Sequence, residues 1–293
     1  MSTGKGIDLL GQMDLFFADI IDVAPKSDMG SMEHPIFALS KKPDLETFRY
    51  EYPNLNAWVE VIPSAQGRAT IFDKDLLLYC IGQIVEGMNR GRAVSRRVQI
   101  TAYEFFMTTG RGHGGDEYRR LHETLSRLRG TTIKTNISTK GSADKTTRRG
   151  EVFGLIDDAK IVEHEGKTIG VEITLSDRIF SAINENHVLT YSREYFGLTS
   201  PNERRMYELC RKHCGHQIYW EIKLENLHLK FGSKAKLNEF RRMVKKMVES
   251  QNIPDYFLVY DKDGKSEKLT VLRDKDGKRK AGADPTKQQQ AAH

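Results

Sequence analysis

Apolar and polar positions along the chain switch between a helical rhythm and a strand-like one, and the switches mark its elements. Residues 1–34 sustain neither rhythm and are expected to form a flexible arm. The stretch "HPIFALSKKPDLETFRYEYPNLNAWVEVIPSAQG" reads as short extended pieces broken by Pro35, Pro43, Pro53 and Pro63. From Thr70 onward, "TIFDKDLLLYCIGQIVEGMNRG" places Leu77, Leu78, Ile81, Ile84, Val85 and Met88 at helical spacing. Asp73 is its expected cap and "NRGR" its stop. "VQITAYEFFMTTG" predicts a short strand and a short helix. After the loop "RGHGG", "DEYRRLHETLSRLRG" carries an apolar stripe of Tyr118, Leu121, Leu125 and Leu128. Two β-rich stretches follow, "TTIKTNIST" and "EVFGLIDDAKIVEHEGKTIGVEITLS", joined by the basic loop "KGSADKTTRRG".

The order then repeats. "SPNERRMYELCRKHCGHQ" predicts a helix with Ser200 as cap and Pro201 in its first turn. "IYWEIKLENLHLKFG" predicts a strand and a short helix, and "SKAKLNEFRRMVKKMVES" a longer helix. "DYFLVYDKDGKSEKLTVLRD" predicts a hairpin. Helix, strand, short helix, longer helix and hairpin are the parts of a winged helix, whose longer helix enters the major groove and whose hairpin lies along the backbone. The expected fold is therefore α+β, with two tandem winged-helix domains behind a flexible N-terminal arm. The expected bounds are 1–34 for the arm, 35–187 for the first domain with its extended segment, 188–276 for the second, and 277–293 for a disordered basic tail.

Composition narrows the partners. Hydrophobic residues are 38% and charged residues 29% of 293, and no run of 18 apolar residues occurs, so a membrane span is not expected. No secretory signal is legible, and the expected location is cytoplasmic. Three cysteines, an odd number, argue against a disulfide framework. The net charge of +6 suggests a polyanion, and its placement has to decide.

In "SKAKLNEFRRMVKKMVES", Leu237, Phe240, Val244, Met247 and Val248 share one face. Away from them lie Lys234, Asn238, Arg241 and Lys245, with Arg242 alongside. Lys and Arg neutralise phosphates, Arg grips guanine by two bonds and Asn grips adenine the same way. The bland alternative is a solvated basic face, and the helix's place in the module favours DNA. The first module's longer helix offers Arg119, His122, Ser126 and Arg129, but Glu123 among them repels phosphate, so it should position more than specify. Its expected wing loop adds Lys140, Lys145, Arg148 and Arg149, and the second wing adds Lys262, Lys265 and Lys268.

Catalytic readings find little support. Cys210, His213, Cys214 and His216 are metal-ligand types, yet they crowd one helix end with no second pair at matching spacing. The two "DKDGK" strings lack the closing Glu of a calcium loop. "EGKT" lacks the first glycine and the helix of a phosphate loop. No His-x-His pair suits a metal-dependent nicking enzyme. The expectation is no catalysis, no metal and no cofactor.

With both modules in view, the chain resembles the replication initiator protein A family of plasmid-encoded initiators, from about His34 to Lys280. The resemblance is carried by "HPIFALSKKPD", "RYEYP", "ATIFDKDLLLYCIGQI", "YRRLHETLSRLRGTTIKTNI" and "SPNERRMYELCRKHCGHQIYWEIKLENLHLKFGS". It implies binding to direct repeats (iterons) in double-stranded DNA at a plasmid origin, help in melting the duplex, recruitment of host replication proteins and repression of its own promoter. It also implies a homodimer in equilibrium with monomer, with no catalytic residues. A winged-helix repressor without initiator activity is the alternative. In that context "QMDLF" resembles the peptide by which bacterial proteins dock on the polymerase sliding clamp, with Gln12, Leu15 and Phe16 as expected contacts. The competing expectation is that this segment folds back over an apolar groove of its own protein or pairs with a second copy.

Overall fold

The computed structural model describes residues 15–52, 56–137, 150–215, 217–264 and 266–274. It is a mixed α+β fold with two hydrophobic cores. The first is built from residues between Phe16 and Ile183. The second is built from residues between Tyr191 and Val271, joined by Met32 and Leu78.

The first core surrounds helix α2 (Lys74–Asn89). Its sequence predicts one apolar stripe, but it is buried nearly all round, because Leu77, Ile81 and Ile84 enter the first core while Leu78 enters the second. Strand β5 (Arg97–Thr101), the short helix α3 (Ala102–Thr108) and helix α4 (Gly115–Gly130) follow. Hairpin β8 (Ile156–His164) with β9 (Lys167–Leu175) closes a sheet of order β1-β5-β9-β8, where β1 is Phe16–Phe17. Its two-residue turn uses Glu165 and Gly166, both at positive φ, as a tight hairpin requires.

The second unit repeats this arrangement. Helix α6 (Pro201–His213), strand β11 (Tyr219–Lys223), helix α7 (Leu224–Phe231) and helix α8 (Leu237–Ser250) precede hairpin β12 (Tyr256–Asp263) with β13 (Ser266–Arg273). The strand order is β11-β13-β12. In both units the strand after the first helix pairs with the second strand of the hairpin.

Three expectations are corrected. The first concerns the arm. Residues 15–34 are built into the fold: Phe16, Ala18 and Ile20 are buried, while Phe17, Asp19 and Ile21 are exposed, a strand-like alternation. β1 runs parallel to β5, and Gln83 of α2 accepts from the Ile20 N–H (3.1 Å) and donates to its carbonyl (2.8 Å). The segment lies so close to α2 that a Cβ on Gly82 would stand 2.7 Å from the Ala24 carbonyl, and one on Gly87 2.8 Å from the Phe16 ring. Strand β2 (Lys26–Asp28) pairs with β10 (Val188–Thr190), and helix α1 (Met29–Glu33) puts Met32 into the second core. The segment is thus a strap across both units.

The second correction follows from the first. Phe16 is 2% exposed and fills the core, so it is not free to enter a clamp cleft. Leu15 is half-buried, and Gln12 lies outside the described residues.

The third concerns the first wing. Strands β6 (Thr132–Thr135) and β7 (Glu151–Gly154), which flank the basic loop, belong to another sheet, ordered β3-β4-β6-β7 with β3 (Phe48–Tyr52) and β4 (Ala57–Ile62). The hairpin closing the first unit's own sheet is β8–β9. Arg148, Arg149, Lys140 and Lys145 lie outside the described residues, as does the 277–293 tail.

Between the units run α5 (Asp177–Asn184), β10 and a 3-10 turn, Arg193–Gly197. The units meet through buried charges. Lys74 of α2 pairs with Glu208 of α6 at 2.5 Å, each side chain 1% exposed. Asp75 holds Arg204 (2.5 Å) and Arg111 (2.9 Å). Arg205 donates to the carbonyls of Met32 (2.7 Å), Glu33 (3.1 Å) and Lys230 (2.6 Å). Asp73, expected as a side-chain cap, instead accepts from Arg127 by two bonds of 2.8 Å and from Thr124 at 2.7 Å. A two-bond guanidinium fork outweighs a single bond from a helix N–H.

Candidate nucleic-acid interface

Helix α8 buries Phe240, Val244 and Met247, with Leu237 and Val248 packed beside them, as its sequence predicts. Lys236 stands at its N-cap, and Gln251 ends it in the left-handed region at φ 49. The Gln251 side chain accepts from the Leu258 N–H (2.9 Å) and donates to the Leu258 carbonyl (2.7 Å), so the helix end is stitched to β12.

The outward residues differ in their commitments. Arg242, Lys245 and Lys246 are exposed, and none has a carboxylate within salt-bridge reach among the described residues. Lys245 sits 5.0 Å over the Tyr260 ring of β12. Asn238 is exposed, and its Oδ1 accepts from Arg241 at 2.5 Å. Arg241 itself is engaged with β13: its Nε lies 2.9 and 2.7 Å from the two Glu267 oxygens, and a terminal nitrogen lies 2.7 Å from one of them. Burial works to raise the Glu267 carboxyl, but the Arg241 hydrogen bonds outweigh it and hold the carboxyl below its usual range. Lys234 is not on the helix. It lies in the turn before it, held by Glu46 (2.7 Å) and Asp44 (3.4 Å).

Of the hairpin lysines, Lys262 lies 3.9 Å from Glu267 and Lys268 3.2 Å from Glu221. Lys265 is outside the described residues.

The first unit presents a different surface. Arg119 is spent on Asp116 (3.2 Å) and Glu123 (2.9 Å) along its own helix. His122 Nε2 lies 3.3 Å from the Thr168 hydroxyl of β9, and exposed Ser126 donates to the His122 carbonyl at 3.0 Å. Arg129 is exposed. Hairpin β8–β9 carries Asp157, Asp158, Glu163, Glu165 and Glu172; Asp157 is held by Arg96 and Glu172 by Arg97 (2.7 Å), and the exposed Asp158, Glu163 and Glu165 make it a poor surface for a phosphate backbone. The cysteine-histidine string is drawn into packing. Cys210 and Cys214 are buried in the second core, and His213 stacks on Trp220 at 4.7 Å and faces Glu33 at 3.1 Å.

The sequence does not announce the Glu267 partner of Arg241 or the acidic character of β8–β9 as a wing. The first depends on hairpin register, Lys262 opposite Glu267. The second was readable from charge once the right hairpin was known.

Comparisons with known proteins bear on this arrangement. The description of the family Replication initiator protein A matches residues 26–258. A protein of Wigglesworthia glossinidia brevipalpis, described as a candidate replication protein, is 38% identical over 253 residues, covering 85% of this chain and 90% of its own. In fold, the chain is similar to the crystal structure of domain 2 and domain 3 of RctB. That likeness has a TM-score of 0.62 at 12% identity and covers 85% of this chain and 99% of that one. The family match runs from β2 through the whole of α8 into β12, and with the 38% identity it establishes that this chain belongs to the replication initiator protein A family.

Proposed function

We propose that the protein is a plasmid replication initiator built on two winged helices, in which the second unit reads repeated double-stranded sites at the origin. Helix α8 enters the major groove, and β12–β13 lies along the backbone. The observation that carries this reading is the row Asn238, Arg242 and Lys245. It is exposed, it lies opposite a fully buried face, and its two cations are without carboxylate partners among the described residues. The first unit, with Arg119 neutralised and an acidic hairpin, positions rather than reads. Opening of the duplex, recruitment of host replication proteins, repression of the chain's own promoter and a monomer–dimer balance belong to the same proposal, supported by family membership.

The test is a footprint on DNA flanking the protein's gene, followed by titrations across salt. Regularly spaced protections are expected; a single palindrome would point to a repressor. Replacing Arg242 and Lys245 together by Ala should lower the salt slope by about two, one for each phosphate that is no longer neutralised. Undiminished binding by that variant would remove α8 from the interface.

A further inference from the structure

We propose that Arg241 and Glu267 form a clasp that fixes the wing hairpin against the reading helix and keeps Arg241 off the DNA, so that the pair governs selectivity rather than affinity. This rests on the DNA-binding reading above. Arg241 lies beside Phe240, at the edge of the buried face, and reaches Glu267 of β13. Both Glu267 oxygens are taken by its guanidinium, and the Glu267 side chain is only 7% exposed. The remaining terminal nitrogen is held by Asn238. A guanidinium engaged on a carboxylate by several parallel bonds is poorly placed to grip a base or a phosphate as well.

The clasp is one of three ties along a single seam. Lys245 over Tyr260 is the second, one turn further on, and Gln251 on Leu258 is the third. Together they hold the hairpin to the helix along its length. A wing held at one angle admits only those sites where base edges and backbone are presented together. The matching contact in the first unit has a hydroxyl where the second has a carboxylate, His122 on Thr168 at 3.3 Å, consistent with a unit that does not read sequence.

Glu267→Gln keeps the shape and removes the charge. Affinities for repeat DNA and for random-sequence duplex are measured across salt. For Glu267→Gln the salt slope should steepen by about one, because a cation is released toward phosphate. The repeat-to-random ratio should fall roughly fivefold or more, chiefly because random binding tightens. Arg241→Ala should lower the ratio with the slope unchanged. The exchange Arg241→Glu with Glu267→Arg should restore much of the ratio. Glu267→Asp, which keeps the charge but shortens the reach, should lower the ratio at unchanged slope and serves if the amide variant does not fold. An unchanged ratio in both Glu267 variants, or a slope lowered by about one in Arg241→Ala, would overturn the clasp. Arg242→Ala separates the two failures. If it weakens all DNA binding while the Glu267 variants are silent, only the clasp falls. If it too is silent, the interface and the clasp fall together.

Discussion

His34 lies at the end of α1 beside Glu33, with its Nδ1 on the Tyr52 hydroxyl. Burial pushes its pKa down to about 4; the charges of Arg205, Lys212 and Arg178 add to this, and Glu33 opposes it. An unfolded histidine titrates near 6.5. Between these values the unfolded chain takes up a proton that the folded chain refuses, so stability falls as pH drops from about 6.5 toward 4 and is level above. Glu33 acts in the same direction at lower pH. Burial works to raise its carboxyl, but hydrogen bonds from His213 and Lys230 win and hold it well below its usual range. Its contribution is present above about 4.5 and fades below. Thermal unfolding should therefore show a loss of about 1–2 kcal/mol between pH 7 and pH 5, and His34→Gln should flatten that step. Phe16 provides a second residue-scale test. As part of the core it should cost about 3–5 kcal/mol when replaced by Ala, measured by denaturant unfolding. A loss below about 1 kcal/mol would return it to the role of an exposed docking residue.

At the scale of elements, the helices were the legible part. The stripes of α4 and α8 fall where their spacing puts them, since a helix face needs only one local period. The strap was missed because Phe16 and Phe17, and Ile20 and Ile21, put an apolar residue in both registers and hid the alternation of buried positions. The first wing was misplaced because two hairpins follow α4. Strand order, set by distant pairing with β4 or β5, decides which of them closes the unit. The packing of α2 on α6 also lies beyond local pattern. Asp75, 2% exposed, neutralises both Arg204 and Arg111. Asp75→Asn should cost about 3–5 kcal/mol, because the buried Arg204 and the half-buried Arg111 lose their shared counter-charge.

The molecule as a whole joins two cores by a strap, a β2–β10 pair and that charge network. The two tryptophans divide between the units, Trp58 on β4 and Trp220 on β11. Single-tryptophan variants should report one shared unfolding transition, since the second core is incomplete without Leu78 of α2 and Met32 of the strap, and buried charge pairs tie α2 to α6. Asp75→Asn should split that transition in two. Coincident transitions in Asp75→Asn would show that the strap alone couples the units.

By itself, the sequence determined the repeated order of elements, the apolar faces of the long helices, the basic outer face of α8 and the resemblance to replication initiators. Each of these is a local property, carried by spacing or by residue type within one segment. Only the tertiary structure decided that residues 15–34 are strap rather than arm, which hairpin closes the first unit, and which of the α8 cations meets a carboxylate. These depend on partners far apart in the chain: Phe16 with Gly87, β5 with β9, and Arg241 with Glu267. Whether a given arginine faces solvent or a carboxylate is a matter of register and packing, and no local pattern encodes it.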